Sequence, residues 1–176
     1  MNYVVADNYL CVLALLEMII KEKGIPISQY DLAEITGVVV PDGYSLSIKN
    51  IRYSANQNDY GVCISPQILY QLFSQLGLIL DVSYIDALRI NELELDIILK
   101  QFISQGKYVI LAFSYGVLYN KMSYRTLGHV ALLEQVINDD LIQIYDPGPD
   151  SPGIKNVRLS TMYDAMRYKG GLYIVG

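Results

Sequence analysis

Between Leu10 and Ile20 only Glu17 interrupts an apolar run of eleven residues. Such a run is too short to span a bilayer, which needs about 20 residues as a helix. Leu10, Leu13, Leu16 and Ile20 share one helical face, yet the other faces are apolar too, so the helix must be buried on most sides. The chain therefore has to wrap this rod. At 176 residues it can, since a chain of this size buries roughly 70% of its unfolded surface, and one domain is expected over residues 1–176. The predicted helix covers about Tyr9 to Lys23, with Asp7 or Asn8 as its N-cap and Gly24 after its end.

Further punctuation divides the chain. Ser28 with Asp31 three residues on gives a capping pair for a second, short helix that Gly37 ends. Ser65-Pro66 opens a third helix that ends before Gly77, and Asn91 with Glu94 opens a fourth that ends at Gly106. The back half reads as strands: Tyr108–Phe113, His129–Val136 and Leu141–Asp146, the last two joined by a hairpin turn at Asn138-Asp139. A short helix after Ser160 and a strand over Leu172–Val175 close the chain. Residues 40–63 lack periodicity, although the alternation from Tyr44 to Ile48 suggests a minor strand. Helices first and an antiparallel sheet second predict an α+β fold.

Charge and composition exclude several functions. The net charge of −5, without a Lys/Arg run, disfavours nucleic acid and anionic membrane as partners. The 52% hydrophobic share includes sixteen tyrosines, whose polar tips allow partial exposure, so it overstates the apolar character. Two cysteines, Cys11 and Cys63, make no disulfide framework in a chain of this length, and with one histidine they make no zinc site unless carboxylates complete it. No metal or other cofactor is expected. The residues before Leu10 carry Asp7 and no Lys or Arg, unlike a signal peptide, so a reduced, cytoplasmic setting without membrane insertion is expected.

The chemistry-bearing residues occur in a telling order. Cys11 stands at the head of the apolar helix, where unpaired backbone amides and the helix dipole favour a thiolate and can donate to an oxyanion. His129, the one histidine, opens a strand that leads by hairpin to Asp146. Thiol, imidazole and carboxylate are the parts of a nucleophilic hydrolase, and near neutral pH His129 is the natural base. Parity decides whether the last two meet. A two-residue loop makes paired positions sum to an odd number, which sets Asp146 and His129 on one sheet face as diagonal neighbours across the two strands, about 7–8 Å apart and within reach for side chains that point toward each other. An odd loop would separate them. Taken singly, Cys11 also fits a core cysteine, His129 a histidine with a backbone partner, and Asp146 a turn carboxylate before Pro147. Cys63, just before a helix start, reads as structural.

Together, Cys11 on its helix, Gly128-His129-Val130-Ala131-Leu132-Leu133, and Ile144-Tyr145-Asp146-Pro147 resemble the papain-like cysteine peptidases. The nearest likeness is to the bacteriocin-processing, double-glycine leader peptidase domains and their stand-alone bacterial relatives. Ser28-Gln29-Tyr30-Asp31-Leu32-Ala33 is similar to the second helix of that group, and Gly106-Lys107-Tyr108-Val109-Ile110 to the strand before the histidine hairpin. The resemblance implies a papain-like fold, with N-terminal helices packed on a C-terminal antiparallel sheet. It also implies Cys11 as nucleophile, His129 as general base, Asp146 as its orienter, and a peptide or protein substrate. Tyr115, Tyr119 and Tyr124 precede the histidine, where papain-like chains border the substrate cleft; otherwise their rings cover the edge of the core.

Two positions depart from the family. Val5 stands six residues before the cysteine, where the family usually has a glutamine that donates to the oxyanion, and Val12 stands where it usually has glycine. Asn8 is the nearest amide to take over the oxyanion role. Three functions follow: a peptidase that releases its acyl-thioester to water, an acyltransferase or amidohydrolase using the same thioester, or an inactive relative that binds a peptide or protein.

Overall fold

In the computed structural model, which describes residues 1–150 and 152–176, the polypeptide divides into two compact units. The first comprises Met1–Leu78 with Pro147–Gly153, the second Ile79–Asp146 with Ile154–Gly176. Helices and an antiparallel sheet make the architecture α+β.

The first unit is built on α1 (Cys11–Glu22), whose residues from Val12 to Ile20 are all buried. Helix α2 (Gln29–Thr36) starts on the capping box of Ser28 and Asp31. The buried Glu17 carboxylate links the two helices: it accepts from the Gln29 backbone amide at 2.6 Å and from Lys21 Nζ at 2.5 Å. A parallel pair follows, β1 (Val38–Pro41) and β2 (Ile51–Ser54), in the register Val38 opposite Ile51. Glu34 secures the link between them by accepting from the amides of Lys49 and Asn50. The Tyr44–Ile48 alternation is not a strand; these residues form the connection, and the strands lie on either side of it. Helix α3 (Pro66–Gln75) begins on Ser65, whose hydroxyl accepts from Ile68 N.

The second unit holds β3 (Val82–Asp86), α4 (Glu92–Ser104), β4 (Tyr108–Ser114), α5 (Tyr115–Leu118), β5 (Gly128–Asn138), β6 (Leu141–Asp146), β7 (Gly153–Arg158), α6 (Leu159–Tyr168) and β8 (Gly171–Val175). The strands form one sheet in the order β3-β8-β4-β5-β6-β7. Val109, Leu111 and Phe113 of β4, Ala131 and Leu133 of β5, and Ile142 and Ile144 of β6 make a core with Leu95 and Leu99 of α4 and Met162, Ala165 and Met166 of α6. Alternation along a strand places every second residue on one face. His129 and Asp146 therefore continue, at the end of β5 and β6, the rows that pack beneath the two helices.

Helix punctuation follows chemistry. Asn91 and Glu94 form a complete capping box on α4. Gly24, Gly77 and Gly106 follow α1, α3 and α4 with positive φ, and the next amide in each case returns to a carbonyl five residues back, as in Ile25 N to Ile20 O. Two expected starts differ. Helix α1 has Leu10 at its N-cap without a side-chain bond, because Asp7 and Asn8 belong to a preceding turn: Leu10 N donates to Asp7 O at 3.0 Å and Tyr9 takes φ +68°. Helix α6 starts at Leu159, one residue before Ser160, on Arg158 and without side-chain capping.

The turn between β5 and β6 is Asp139-Asp140 rather than Asn138-Asp139, since Asn138 still pairs with Leu141 and its side chain accepts from Asp140 N. Two bulges then follow on β5, between Leu133 and Gln135 and between Val136 and Asn138. Each adds one residue to β5, so the pair returns to the parity that a two-residue turn one position earlier would have given. The register ends at Leu132 opposite Tyr145, which puts Asp146 opposite Ala131 and diagonal to His129.

The chain between β4 and β5 is drawn in by Ser114, fully buried, whose hydroxyl caps α5 through Val117 N and donates to Arg125 O at 2.6 Å. A Cβ on Gly116 would lie 2.4 Å from the backbone nitrogen of Arg125 and 2.5 Å from Lys121 O. Gly116→Ala should therefore force this segment outward and cost about 1–3 kcal/mol, read as a lower urea midpoint; a midpoint equal to the parent's would contradict the close packing.

Candidate functional site

His129 Nε2 lies 2.7 Å from Asp146 Oδ1, with the imidazole 9% and the aspartate 1% exposed. Strand pairing sets the ring against Phe113, its partner on β4, with centroids 5.5 Å apart and planes at 84°. The Tyr115 ring approaches from α5 at 5.3 Å and 87°. Both are edge contacts of the favourable T-shaped kind, and they restrict tilting of the imidazole.

The other carboxylate oxygen is equally engaged. The Tyr119 hydroxyl donates to Asp146 Oδ2, and Lys155 Nζ, from β7, donates to the same oxygen at 2.8 Å. Lys155 also lies 3.3 Å from the Tyr119 hydroxyl and 4.6 Å from the centroid of its ring. Burial alone would raise the Asp146 carboxyl. The hydrogen bond and charge of His129, joined by the bonds from Lys155 and Tyr119, outweigh burial and hold it well below the usual carboxylate range. Tyr119 moves the opposite way: burial, then the bond and charge of Asp146, hold its hydroxyl firmly protonated. An ionised carboxylate only accepts hydrogen bonds. In the neutral imidazole the proton thus sits on Nε2, and Nδ1 carries the lone pair.

The predicted residues fall into two groups. His129, Asp146, Tyr115 and Tyr119 come together in the second unit, and Tyr124 joins them through Tyr115, with ring centroids 6.2 Å apart. Tyr119 serves the carboxylate through its hydroxyl, so its position is fixed by Asp146. Cys11 and Asn8 belong to the first unit. Cys11 is the first residue of α1, partly exposed, where the helix leaves its leading amides without intrahelical acceptors. Asn8 is exposed in the turn just before it, and its backbone amide donates to its neighbour Asp7. Cys63 is exposed, so its thiol does not pack in a core as a structural residue would.

Sequence reasoning missed two supports. Lys155 lies on a strand whose exposed positions include Ile154 and whose inward ones include Lys155, the reverse of a readable hydrophobic alternation. Gln29 is buried beside α1, where its side chain accepts from Asp7 N at 2.9 Å and donates to Val5 O at 3.0 Å. Gln29 thus holds the backbone of the residues leading to Cys11, while the Val5 side chain is exposed. Among the described residues no cluster of three His, Cys, Asp or Glu side chains is arranged to hold a metal ion, and no helix is long and apolar enough to cross a membrane. No protein-family model matches the chain, and no curated protein sequence matches it.

The depressed carboxyl has a pH signature. An aspartate held low in the folded state stabilises it fully above the unfolded value of about 3.9, and that contribution is lost as pH falls through the folded value. The stability gap between the parent and Asp146→Asn should narrow steadily on acidification below about 4. Urea titrations across this range measure it, and a gap that persists unchanged into strong acid would contradict the ionised assignment.

Proposed function

We propose that the protein is a papain-like cysteine peptidase, related to the double-glycine leader peptidase domains, with Cys11, His129 and Asp146 as its triad. The observation that carries this reading is the buried imidazole–carboxylate pair formed by the one histidine in the chain. A carboxylate on Nε2 leaves Nδ1 as the basic nitrogen, which is what accepting a proton from a thiol requires. The other support is Cys11 at the start of a buried helix, whose leading amides suit both a thiolate and an oxyanion.

In this reaction the Cys11 thiol gives its proton to Nδ1 of His129 and the sulfur attacks the peptide carbonyl. The tetrahedral oxyanion is held by α1 amides, with Asn8 as the candidate side-chain donor. The C–N bond breaks as the imidazolium returns the proton to the departing amine. Water, deprotonated by His129, then cleaves the thioester and releases the acid and the thiol. An amine in place of water gives the transferase version of the same chemistry.

One observation favours a non-catalytic, peptide-binding reading: Val5 occupies the place of the family's oxyanion glutamine, and its side chain is exposed. Loss of one such donor costs about a hundred- to a thousandfold in rate. Thiol reactivity separates the readings. Exposed Cys63 serves as the internal reference for iodoacetamide labelling at pH 6. Cys11, although less exposed, should be alkylated at least about tenfold faster, and His129→Ala should erase the difference. Peptide mapping by mass spectrometry reads both sites. Equal slow labelling, unaffected by His129→Ala, would reject the peptidase and leave the binder.

A further inference from the structure

We propose that Lys155 and Tyr119 are positioning residues that select the tautomer of His129 through Asp146. The catalytic use of that tautomer rests on the peptidase reading, but the selection itself does not. A carboxylate buried to 1% exposure has two ways to exist. Ionised, it accepts a proton-bearing nitrogen, and the neutral imidazole must be the Nε2–H form. Protonated, it becomes a donor, Nε2 becomes an acceptor, and the ring proton moves to Nδ1. The second form has no lone pair on Nδ1 and cannot take a proton there.

Burial favours the protonated carboxyl. Two groups oppose it on the far oxygen. Lys155, 2.8 Å from Oδ2, supplies a compensating positive charge, and the Tyr119 hydroxyl donates to the same atom. With Oδ2 saturated, Oδ1 is the oxygen presented to the imidazole, at 2.7 Å from Nε2. Lys155 is itself directed, since its ammonium lies over the Tyr119 ring and beside its hydroxyl. Phe113 and Tyr115 hold the ring edge-on while this selection is made. The ammonium thus acts on the imidazole by keeping its partner an acceptor.

A single histidine makes the test direct, because ¹⁵N-histidine labelling yields the signals of one imidazole. The Nδ1–H form with its protonated carboxyl carries one proton more than the Nε2–H form, so the comparison is made at pH 6. In the full chain the ¹⁵N shifts and ring-proton correlations should show Nε2–H over Nδ1–H among neutral rings in at least tenfold excess. Lys155→Met should lower that ratio at least fivefold, Lys155→Arg should restore it, and Tyr119→Phe, which keeps the ring, should lower it by a smaller factor. The same Lys155→Met chain should lose several-fold in Cys11 alkylation rate, and no more than His129→Ala loses. A dominant Nδ1–H ring in the parent, or an unchanged ratio in folded Lys155→Met, overturns the proposal. Should Lys155→Met fail to fold, an unchanged ratio in Tyr119→Phe does the same. Labelling of Cys11 that ignores His129 while the tautomer ratio still responds to Lys155 would sink the peptidase reading and leave this one standing.

Discussion

A carboxylate removed from water must be compensated or protonated, and the second unit is arranged around one that is compensated. Asp146 receives His129 on one oxygen and Tyr119 and Lys155 on the other. Those donors arrive from separate strands and from the helical turn after β4, so each element is held to the others by a charge that none can release cheaply. Removing a single donor leaves the remainder facing an under-satisfied buried anion. The geometry of the imidazole is thus a property of the whole sheet end, which explains why Ser114 and Gly116, neither of them singled out by the sequence pattern, govern where Tyr115 and Tyr119 stand.

The first unit solves a comparable problem with a different pair. Glu17 interrupts an otherwise apolar helix, and its carboxylate is satisfied by Lys21 and by the first amide of α2. Gln29 carries the linkage onward to the backbone at Val5 and Asp7. A polar residue in the middle of a greasy run thereby becomes the anchor for the chain that enters α1 at Cys11. The proline carbonyl that follows Asp146 takes part as well, since Ala6 N donates to Pro147 O at 2.8 Å within this unit.

Much of the helical framework was legible because capping chemistry is local. Ser28 with Asp31, Ser65 with Pro66 and Asn91 with Glu94 act within four residues, and the glycines that end α1, α3 and α4 need only their own backbone. The strands were legible where β-branched and apolar residues cluster, as in β4 and β5. Strands β1, β2, β3 and β7 were not. The first two are short and separated by an irregular connection, and β3 and β7 lie at the sheet edges, where exposure blurs alternation. The pairing of His129 with Asp146 was readable in outcome but not in route. The turn falls one residue later than its residue types suggest, and two bulges restore the face. Bulge positions depend on cross-strand packing, which a linear pattern does not carry. The approach of Lys155 was invisible for the same reason, because only the folded sheet brings β7 to Asp146.

The ion pair between Asp146 and Lys155 also closes a loop. The polypeptide leaves the second unit after residue 146 and rejoins it at Ile154, so the bridge clasps the neck of the excursion from both sides. The chain thus returns to the sheet through the same salt bridge that fixes the acid, so the partner of the imidazole and the edge strand β7 keep their footing together.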